Sequence, residues 1–307
     1  MRVVFMGTPA FALPSLRAVA SRHEVAAVYT RPDKPSGRGR TPTPSPVKTT
    51  AEELGLAVVQ PPTLRDPAET ERLSALRPDA VCVAAYGLLL PDEILAVPPL
   101  GCVNVHASLL PEYRGAAPVQ RAILEGAERT GVTIMRVVRE LDAGPYAARV
   151  EVPVGDADAA ALSGALAEAG AAALVAVLGE MERGTVVWVA QDETRATYAP
   201  KVTAEDVALH PSLPVDAALR RVRASTASAP CRALVGQKRV VVVAAAPSPE
   251  RLAPGGVSAT RDGLHLGLAD GALRLDRVRP EGRGEMDGAA FARGARFPPG
   301  ATWDSWA

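Results

Sequence analysis

The segment GCVNVHASLLPEYRGAAPVQ, Gly101–Gln120, predicts a strand, a sharp turn and the start of a helix. Its residues 103–108 alternate between apolar and polar side chains, which is the period of a strand. Pro111 cannot continue a strand ladder, and Gly115 permits a tight turn before a helix that begins near Pro118. A strand that passes through a turn into a helix is the repeating unit of an α/β sheet.

The same unit recurs on both sides of this segment. Besides Gly101–Ser108, short β-branched runs predict strands at Arg2–Gly7, Glu24–Thr30, Leu56–Gln60, Ala80–Tyr86 and Val132–Val138. Helical patterns lie between the strands, at Leu13–Ser21, Pro46–Leu54, Asp66–Leu76 and Pro118–Ala127. The alternation predicts an α/β domain of Rossmann-like type, with a mainly parallel sheet between helices. Its first turn, Met6–Ala12, lacks the GxGxxG pattern, which disfavours a dinucleotide cofactor and an oxidoreductase that uses one.

A smaller, β-rich part follows. Asp156–Arg183 predicts a long helix that closes the first domain, and Trp188–Lys201 predicts a connector. Beyond the connector, one helix and four short strands are predicted between Gly- and Pro-rich turns, at Ala217–Ala224, Arg239–Ala245, Gly255–Ala259, Gly263–Leu268 and Ala272–Val278. Such strands are typical of a small β-barrel. We therefore expect an α/β domain over 1–187, a connector over 188–206 and a barrel domain over 207–307.

Composition excludes several classes of protein. With 48% hydrophobic and 22% charged residues over 307 positions, the chain has the composition of a folded protein, so global disorder is excluded. No apolar run reaches the ~18 residues that span a bilayer, and the N-terminus lacks a secretory pattern. The three cysteines and four histidines have no metal-ligand spacing. We expect a cytoplasmic protein with no membrane segment and no metal.

Charge is distributed unevenly although the net charge is zero. Residues 207–307 carry 14 basic and 9 acidic side chains, whereas residues 1–206 carry 20 and 25. The segment RPDKPSGRGRTPTPSPVK, Arg31–Lys48, holds five prolines, five basic residues and one acid. Its prolines disfavour regular structure, so it predicts a long, exposed basic loop that faces a polyanion. Aromatic residues, at 4%, are too few for a base-stacking single-strand binder.

Three polar side chains mark a candidate active site. Asn104, His106 and Ser108 share one face of the predicted strand near its carboxyl end, where α/β sheets bind ligands. A buried structural histidine would have apolar neighbours on its own face, so this pattern favours catalysis. Asp142 follows the strand Val132–Val138 and precedes a glycine; alone, it would be an ordinary turn residue, and its weight comes from Asn104 and His106.

Six segments extend this pattern along the whole chain. They are FMGTPAFALPSL (Phe5–Leu16), AAYGLLLP (Ala84–Pro91), NVHASLLPEYRGAAPVQ (Asn104–Gln120), GVTIMRVVRELDAG (Gly131–Gly144), ATYAPKVTAED (Ala196–Asp206) and RPEGRGEMDGAAFARGAR (Arg279–Arg296). Together with the basic loop, they resemble the methionyl-tRNA formyltransferases of the folate-dependent formyltransferase family. The resemblance implies a catalytic formyltransferase domain followed by an oligonucleotide-binding (OB) type barrel that holds tRNA.

The resemblance also implies the substrates and the site. The formyl donor would be 10-formyltetrahydrofolate, released as tetrahydrofolate, and the acceptor would be the α-amino group of initiator methionyl-tRNA. Asn104, His106 and Asp142 would be catalytic. The folate site would be lined by Ser108, Leu109, Leu110 and Pro111 and by Tyr86, Gly87, Leu88, Leu90 and Pro91. The basic residues Arg31, Lys34, Arg38, Arg40 and Lys48 are expected to contact tRNA, and we expect a monomer.

These side chains suit acyl transfer to an amine. The reaction passes through a tetrahedral oxyanion, which Asn104 and His106 would stabilise with N–H donors, while Asp142 would accept the proton that the amine loses. Sugar-nucleotide N-formyltransferases share the Asn-His-Asp set, and formyltetrahydrofolate hydrolases are related to them. A non-catalytic RNA-binding protein is a third alternative. The basic loop, the connector and the basic second domain favour tRNA as the acceptor.

Overall fold

The computed structural model describes residues 1–36, 41–261 and 263–306. The chain forms two compact units. The first comprises Met1–Pro118, Arg129–Pro153 and Ser163–Ala199; the second comprises Val119–Glu128, Val154–Leu162 and Pro200–Ala307. The chain therefore contributes two short segments to the second unit before it enters that unit for good at Pro200.

Among the described residues, nine strands lie in the first unit. They are β1 (Arg2–Gly7), β2 (Glu24–Tyr29), β3 (Lys34–Ser36), β4 (Thr41–Thr43), β5 (Val58–Val59), β6 (Ala80–Ala84), β7 (Cys102–His106), β8 (Arg129–Arg136) and β9 (Tyr146–Pro153). Seven of them form one sheet in the order β5-β2-β1-β6-β7-β8-β9, and β3 pairs with β4. The first five strands in this order, β5-β2-β1-β6-β7, run parallel to one another. β8 pairs antiparallel with β7, and β9 pairs antiparallel with β8. The predicted mainly parallel sheet is confirmed.

Helices cover both faces of this sheet because its strands are apolar on both faces. The helices up to the connector are α1 (Leu13–Ala20), α2 (Pro46–Glu53), α3 (Pro67–Ala75), α4 (Asp92–Leu95), α5 (Pro118–Glu125) and α6 (Ala159–Arg183). On one face, Val3 and Phe5 of β1 belong to a core cluster with α1 and α6. On the other face, Val4 and Met6 belong to a cluster with Leu73 of α3. A sheet buried on both sides places its functional side chains at strand ends and in loops.

Helix α6 is an apolar core helix. Among the described residues, it is the one helix long and apolar enough to cross a membrane by length and composition, with a mean hydropathy of 1.8 over its best window. Half of that window is buried inside the protein. Its residues Leu174, Val177, Leu178 and Met181 pack in the sheet's core cluster. These contacts account for its apolar composition.

The second unit is an antiparallel, nearly closed barrel. Its strands are β10 (Arg232–Val235), β11 (Lys238–Ser248), β12 (Val257–Ala259), β13 (Leu264–Gly267), β14 (Ala272–Pro280), β15 (Met286–Asp287) and β16 (Trp303–Ser305). They are ordered β12-β13-β14-β11-β10-β16, with β15 beside β14. A bridge between Gly256 and Thr302 brings the two ends of the sheet together. Helices α7 (Val215–Arg223) and α8 (Gly288–Ala295) contribute Val222 and Phe291 to the core. The predicted barrel is confirmed.

Several elements of the described residues were not predicted from the sequence. They are helix α4, the edge strand β9, the strands β10, β15 and β16, helix α8, and the short pair β3 and β4 inside the proline-rich segment. Pro35 and Pro42 lie opposite each other in that pair. Because the pair is separate from the seven-stranded sheet, the missing N–H groups of these prolines remove no hydrogen bond from that sheet. Helix α8 begins at Gly288, where a Cβ would lie 1.8 Å from the carbonyl oxygen of Leu275, so close packing requires glycine there.

Candidate active site

Strand β7 positions two of the predicted catalytic residues. Asn104 pairs with Val83 of β6 and with Met135 of β8, and it is half-buried. His106, at the end of the strand, pairs with Thr133 and is 6% exposed. Because both neighbours of β7 are hydrogen-bonded strands, the backbone under these two side chains is fixed.

The loop after β7 determines that Nε2 of His106 carries a proton. Nε2 lies 3.0 Å from the carbonyl oxygen of Tyr113. A carbonyl only accepts hydrogen bonds, so Nε2 carries a proton and donates it. Nδ1 is therefore the nitrogen that faces the chemistry, and it lies 3.6 Å from Oδ2 of Asp142. With Nε2 protonated, Nδ1 can donate only when the ring is an imidazolium.

Asp142 is held in an unusual backbone conformation. Its φ is +50°, in the left-handed region that aspartate tolerates better than most residues. Oδ2 accepts the backbone N–H of Gly115 at 2.9 Å. The side chain is 16% exposed. One carboxylate oxygen is thus fixed by the turn after β7 and lies beside His106. Asn104 lies two residues before His106 on β7, on the same face of the strand.

Residues predicted to line the folate site from the loop after β7 are mostly buried. Ser108 is fully buried and donates its hydroxyl to the carbonyl of Glu112 at 2.5 Å. Leu110 is fully buried, and its N–H donates to the hydroxyl of Thr133 at 3.1 Å. Pro111 is buried and Leu109 is half-buried. In these contacts, Ser108 and Leu110 fix the path of the loop that carries the carbonyl bound by His106.

The predicted folate residues in the loop after β6 are more accessible. Tyr86 is buried and burial raises the pKa of its phenol, Gly87 has φ +82°, and Leu88, Leu90 and Pro91 are half-buried. Leu89 is 72% exposed, and Leu141, beside Asp142, is 53% exposed. An ion pair of 3.6 Å between Asp92 and Arg139 joins the two loops that carry these leucines. Exposed apolar side chains on adjoining loops beside the carboxylate are available to pack against the face of a bound ligand.

Two of the predicted tRNA contacts already hold partners in this chain. Nη1 of Arg31 donates to the carbonyl of Gly87 at 2.8 Å. Nζ of Lys48 is 2.6 Å from Oδ2 of Asp33, and this contact raises the pKa of Lys48 and, as the largest of several causes, lowers the pKa of Asp33. Lys34 lies in β3. Arg38 and Arg40 lie outside the described residues.

The site also contains residues that sequence reasoning missed. Arg114 is 2% exposed and donates to Gln191 and Glu193 of the connector. The Glu193 contact is the largest cause that raises the pKa of Arg114. A signal existed, because Arg114 lies inside the segment that carries the resemblance, but its partners are 77 and 79 positions away. Among residues 1–36, 41–261 and 263–306, no group of three His, Cys, Asp or Glu side chains could hold a metal ion.

An amide, an imidazole and a carboxylate that converge beside a parallel-dominated sheet form a site suited to acyl-group transfer. Residues 1–178 match the Formyl transferase family, and residues 201–296 match the Formyl transferase C-terminal domain. The chain therefore belongs to the formyl transferase family and is a formyl-transferring enzyme.

Its relatives and structural neighbours agree with this assignment. The chain is 45% identical over 297 residues to a protein from Methylococcus capsulatus named methionyl-tRNA formyltransferase. The matched region covers 95% of this chain and 96% of that protein. Seven further relatives with that name are 42 to 44% identical.

Two solved structures share the fold. HypX from Aquifex aeolicus, crystallised with tetrahydrofolic acid, has a TM-score of 0.69 at 22% identity over 96% of this chain, which spans 47% of the HypX chain. WlaRD, a sugar 3N-formyl transferase solved in the presence of dTDP and 5-N-formyl-THF, has a TM-score of 0.64 at 13% identity, over 92% of this chain and 99% of that one.

Proposed function

We propose that the protein transfers the formyl group of 10-formyltetrahydrofolate to the α-amino group of methionine on initiator methionyl-tRNA, for translation initiation. The observation that carries the chemistry is the pairing of His106 Nδ1 with Asp142 at 3.6 Å, with Nε2 already committed to Tyr113. The choice of acceptor rests on the name that full-length relatives of 42 to 45% identity share. The proposal includes a monomer that acts in the cytoplasm, where charged tRNA is used.

In this proposal the donor supplies an activated formyl group, and the chain's own residues orient it and handle charge and protons. Negative charge develops on the formyl oxygen when the amine attacks. The side-chain amide of Asn104 and Nδ1–H of the His106 imidazolium would donate to that oxygen. The Asp142 carboxylate would orient the His106 ring, since its Oδ2 lies 3.6 Å from Nδ1. Its other oxygen, Oδ1, is assigned to the proton that the attacking amine releases, directly or through a water. The intermediate would then collapse with cleavage of the bond between the formyl carbon and N10, and the same proton would pass to N10 as tetrahydrofolate leaves.

The loops around the three catalytic residues would hold the donor. Exposed Leu89 and Leu141 would pack on the folate ring system, and Tyr86, Gly87, Leu88, Leu90 and Pro91 would form the wall behind it. The proposal keeps Ser108, Leu109, Leu110 and Pro111 at the site, with the buried Ser108 and Leu110 acting through the loop that they hold. For tRNA, the proposal assigns the basic segment Arg31–Lys48 and the C-terminal residues 207–307, which carry 14 basic and 9 acidic side chains.

Formyl transfer to an amino sugar nucleotide is the second candidate. A specific observation keeps it open: the WlaRD sugar enzyme covers 92% of this chain, so a second unit of this fold is also present in a sugar formyltransferase. The barrel alone therefore does not select tRNA. Sequence identity separates the two, at 13% for that sugar enzyme and 45% for the Methylococcus capsulatus relative.

The test is formyl transfer from 10-formyltetrahydrofolate to charged initiator tRNA, charged elongator tRNA and an amino sugar nucleotide in parallel. The proposal expects product on initiator tRNA. Product on the sugar nucleotide alone would overturn the acceptor, and donor hydrolysis without transfer would indicate the hydrolase. Absence of any turnover, with tRNA still bound, would indicate the non-catalytic RNA-binding protein.

The role of Asp142 is tested with an isosteric pair of variants in the same loop. Asp142→Asn keeps the left-handed backbone and removes the carboxylate, so turnover should fall by about 10²–10⁴-fold while tRNA binding persists. Glu140→Gln removes an exposed charge two positions away and should leave kcat within about threefold of the native value. Near-native turnover of Asp142→Asn would remove its assigned role.

A further inference from the structure

The connector holds the backbone on either side of Asp142. Gln191 uses its amide nitrogen twice: Nε2 donates to the carbonyl of Asp142 at 2.8 Å and to the carbonyl of Gly144 at 2.7 Å. These two carbonyls bracket Ala143, so a single side chain fixes the turn in which Asp142 adopts its positive φ. Gln191 lies 49 positions beyond Asp142 and belongs to no segment that sequence analysis assigned to the site.

Arg114 fixes Gln191 in turn. Oε1 of Gln191 accepts from Nε of Arg114 at 3.1 Å and from Nη2 at 2.7 Å. Nη1 and Nη2 of Arg114 also donate to the two carboxylate oxygens of Glu193, at 2.9 and 2.6 Å. A two-pronged guanidinium contact of this kind restricts both partners in direction as well as in distance. Since Arg114 is 2% exposed, water competes little for its donors.

The main chain of Arg114 links this arrangement to the carboxylate. Its N–H donates to the carbonyl of Thr197 at 2.9 Å, and its carbonyl accepts from the N–H of Ala199 at 2.7 Å. The next residue, Gly115, donates its N–H to Oδ2 of Asp142. Arg114 therefore holds the backbone of Asp142 through Gln191, and its neighbour Gly115 holds the Asp142 carboxylate directly.

We propose that Gln191 and Arg114 are positioning residues for formyl transfer, which act by holding the Asp142 carboxylate at charge-pair distance from Nδ1 of His106. The inference rests on the catalytic role proposed for Asp142. The left-handed backbone is unfavourable for a non-glycine residue, so the loop should relax when its two carbonyls lose their donor. A displacement of about 1 Å at a catalytic group lowers the rate by about 100-fold.

The test uses Gln191→Glu. Glutamate has nearly the same shape and still offers an oxygen to Arg114, but it places a second oxygen where Nε2–H donated to two carbonyls. The expected result is a fall in kcat of about 30- to 100-fold, with KM for the folate donor and for charged tRNA changed less than about threefold. A role confined to folding would lower the thermal midpoint and the active fraction, and would leave kcat per active site unchanged.

Arg195→Gln is the matched control. Arg195 lies on the same connector and pairs with Glu112 at 2.6 Å, with 62% of its side chain exposed, so its loss should change kcat less than about twofold. Gln191→Met removes the donors without adding a charge and replaces Gln191→Glu if that variant does not fold. Active-site titration and circular dichroism report the folded fraction for each variant.

A double-mutant cycle with Asp142→Asn shows whether Gln191 acts through Asp142. If it does, adding Gln191→Glu to Asp142→Asn should lower single-turnover rates by less than about twofold, because the group being positioned is already absent. A full multiplicative loss in the double variant would overturn the inference, as would native kcat in Gln191→Glu. Failure of the proposed function is distinguishable, because it would show as absent formyl transfer in the unmodified protein.

Discussion

Gly144→Ala should disable the enzyme through backbone geometry alone. A Cβ on Gly144 would lie 1.9 Å from the carbonyl oxygen of Arg136 and 3.3 Å from Cγ1 of Val138. The nearest atom is backbone at the end of β8, so no side-chain rotation relieves the contact. Carbon and oxygen atoms that are not bonded need about 3 Å or more, so the Gly144 turn and β8 must separate by roughly 1 Å.

The magnitude follows from what that separation breaks. Arg136 donates its N–H to Pro145 at 2.8 Å, and Gly144 accepts from Gln191 at 2.7 Å, so at least one of these hydrogen bonds is lost. Overpacking of this kind costs about 1–3 kcal/mol, which lowers the thermal midpoint by several degrees in a chain of this size. Asp142 is two residues away, and a displacement of about 1 Å there should lower kcat by about 100-fold.

The assay is steady-state formyl transfer with charged initiator tRNA, together with thermal unfolding. Gly164→Ala is the matched control: it lies inside α6, and its added Cβ meets no heavy atom within 4 Å. This control should be neutral or stabilising by up to about 1 kcal/mol, with native kcat. If Gly144→Ala retains kcat within threefold of the native value, the idea that this turn fixes the carboxylate is refuted.

Two further predictions concern titrating groups. The backbone N–H of Thr203 and the Arg121 guanidinium hold the pKa of Asp206 below its ordinary value, so the stabilisation is present above about pH 4 and is lost as pH falls through the lower folded-state pKa. Asp206→Asn should therefore lower the free energy of unfolding by about 1–2 kcal/mol at pH 7 and by much less at pH 3 in urea denaturation; an equal loss at both pH values would contradict this. Burial raises the pKa of Cys102 to about 12 and raises those of Cys82 and Cys231 as well, so Ellman's reagent at pH 8 should label almost no thiol in the native protein and three after unfolding; one rapidly labelled thiol would contradict the burial.

The parallel strands could be predicted because a strand that is buried on both faces has a continuous run of apolar residues. Val3, Val4, Phe5 and Met6 are all fully buried, and such runs read as strands without knowledge of neighbours. Strand β9 gives no such signal, since it lies at the edge of the sheet and residues 149–151 are exposed. Helix α8 could not be predicted, because its sequence GAAFARGA contains two glycines, which disfavour a helix. The first of them, Gly288, is required by close packing against the backbone of Leu275, a contact that the sequence does not show.

The site divides in the same way. Alternation along β7 indicated Asn104 and His106, because both are set by the local backbone. The hydrogen bond from His106 Nε2 to Tyr113, seven positions further along the chain, depends on the path of the loop after β7 and had no local signal. The same holds for Lys48, predicted to contact tRNA, whose partner Asp33 lies 15 positions earlier in the chain. Pairings made by tertiary structure are the part that sequence patterns do not contain.

Position 142 has very little substitutional freedom. The backbone there admits glycine, asparagine and aspartate far more readily than other residues, because φ is +50°. The proposed chemistry admits only an acid, and glutamate, the other acid, is longer by one methylene and ill-suited to that backbone. Only aspartate satisfies both constraints. In a saturation library selected for activity, only aspartate should survive at position 142, whereas the exposed Glu140, two positions away, should accept many residues.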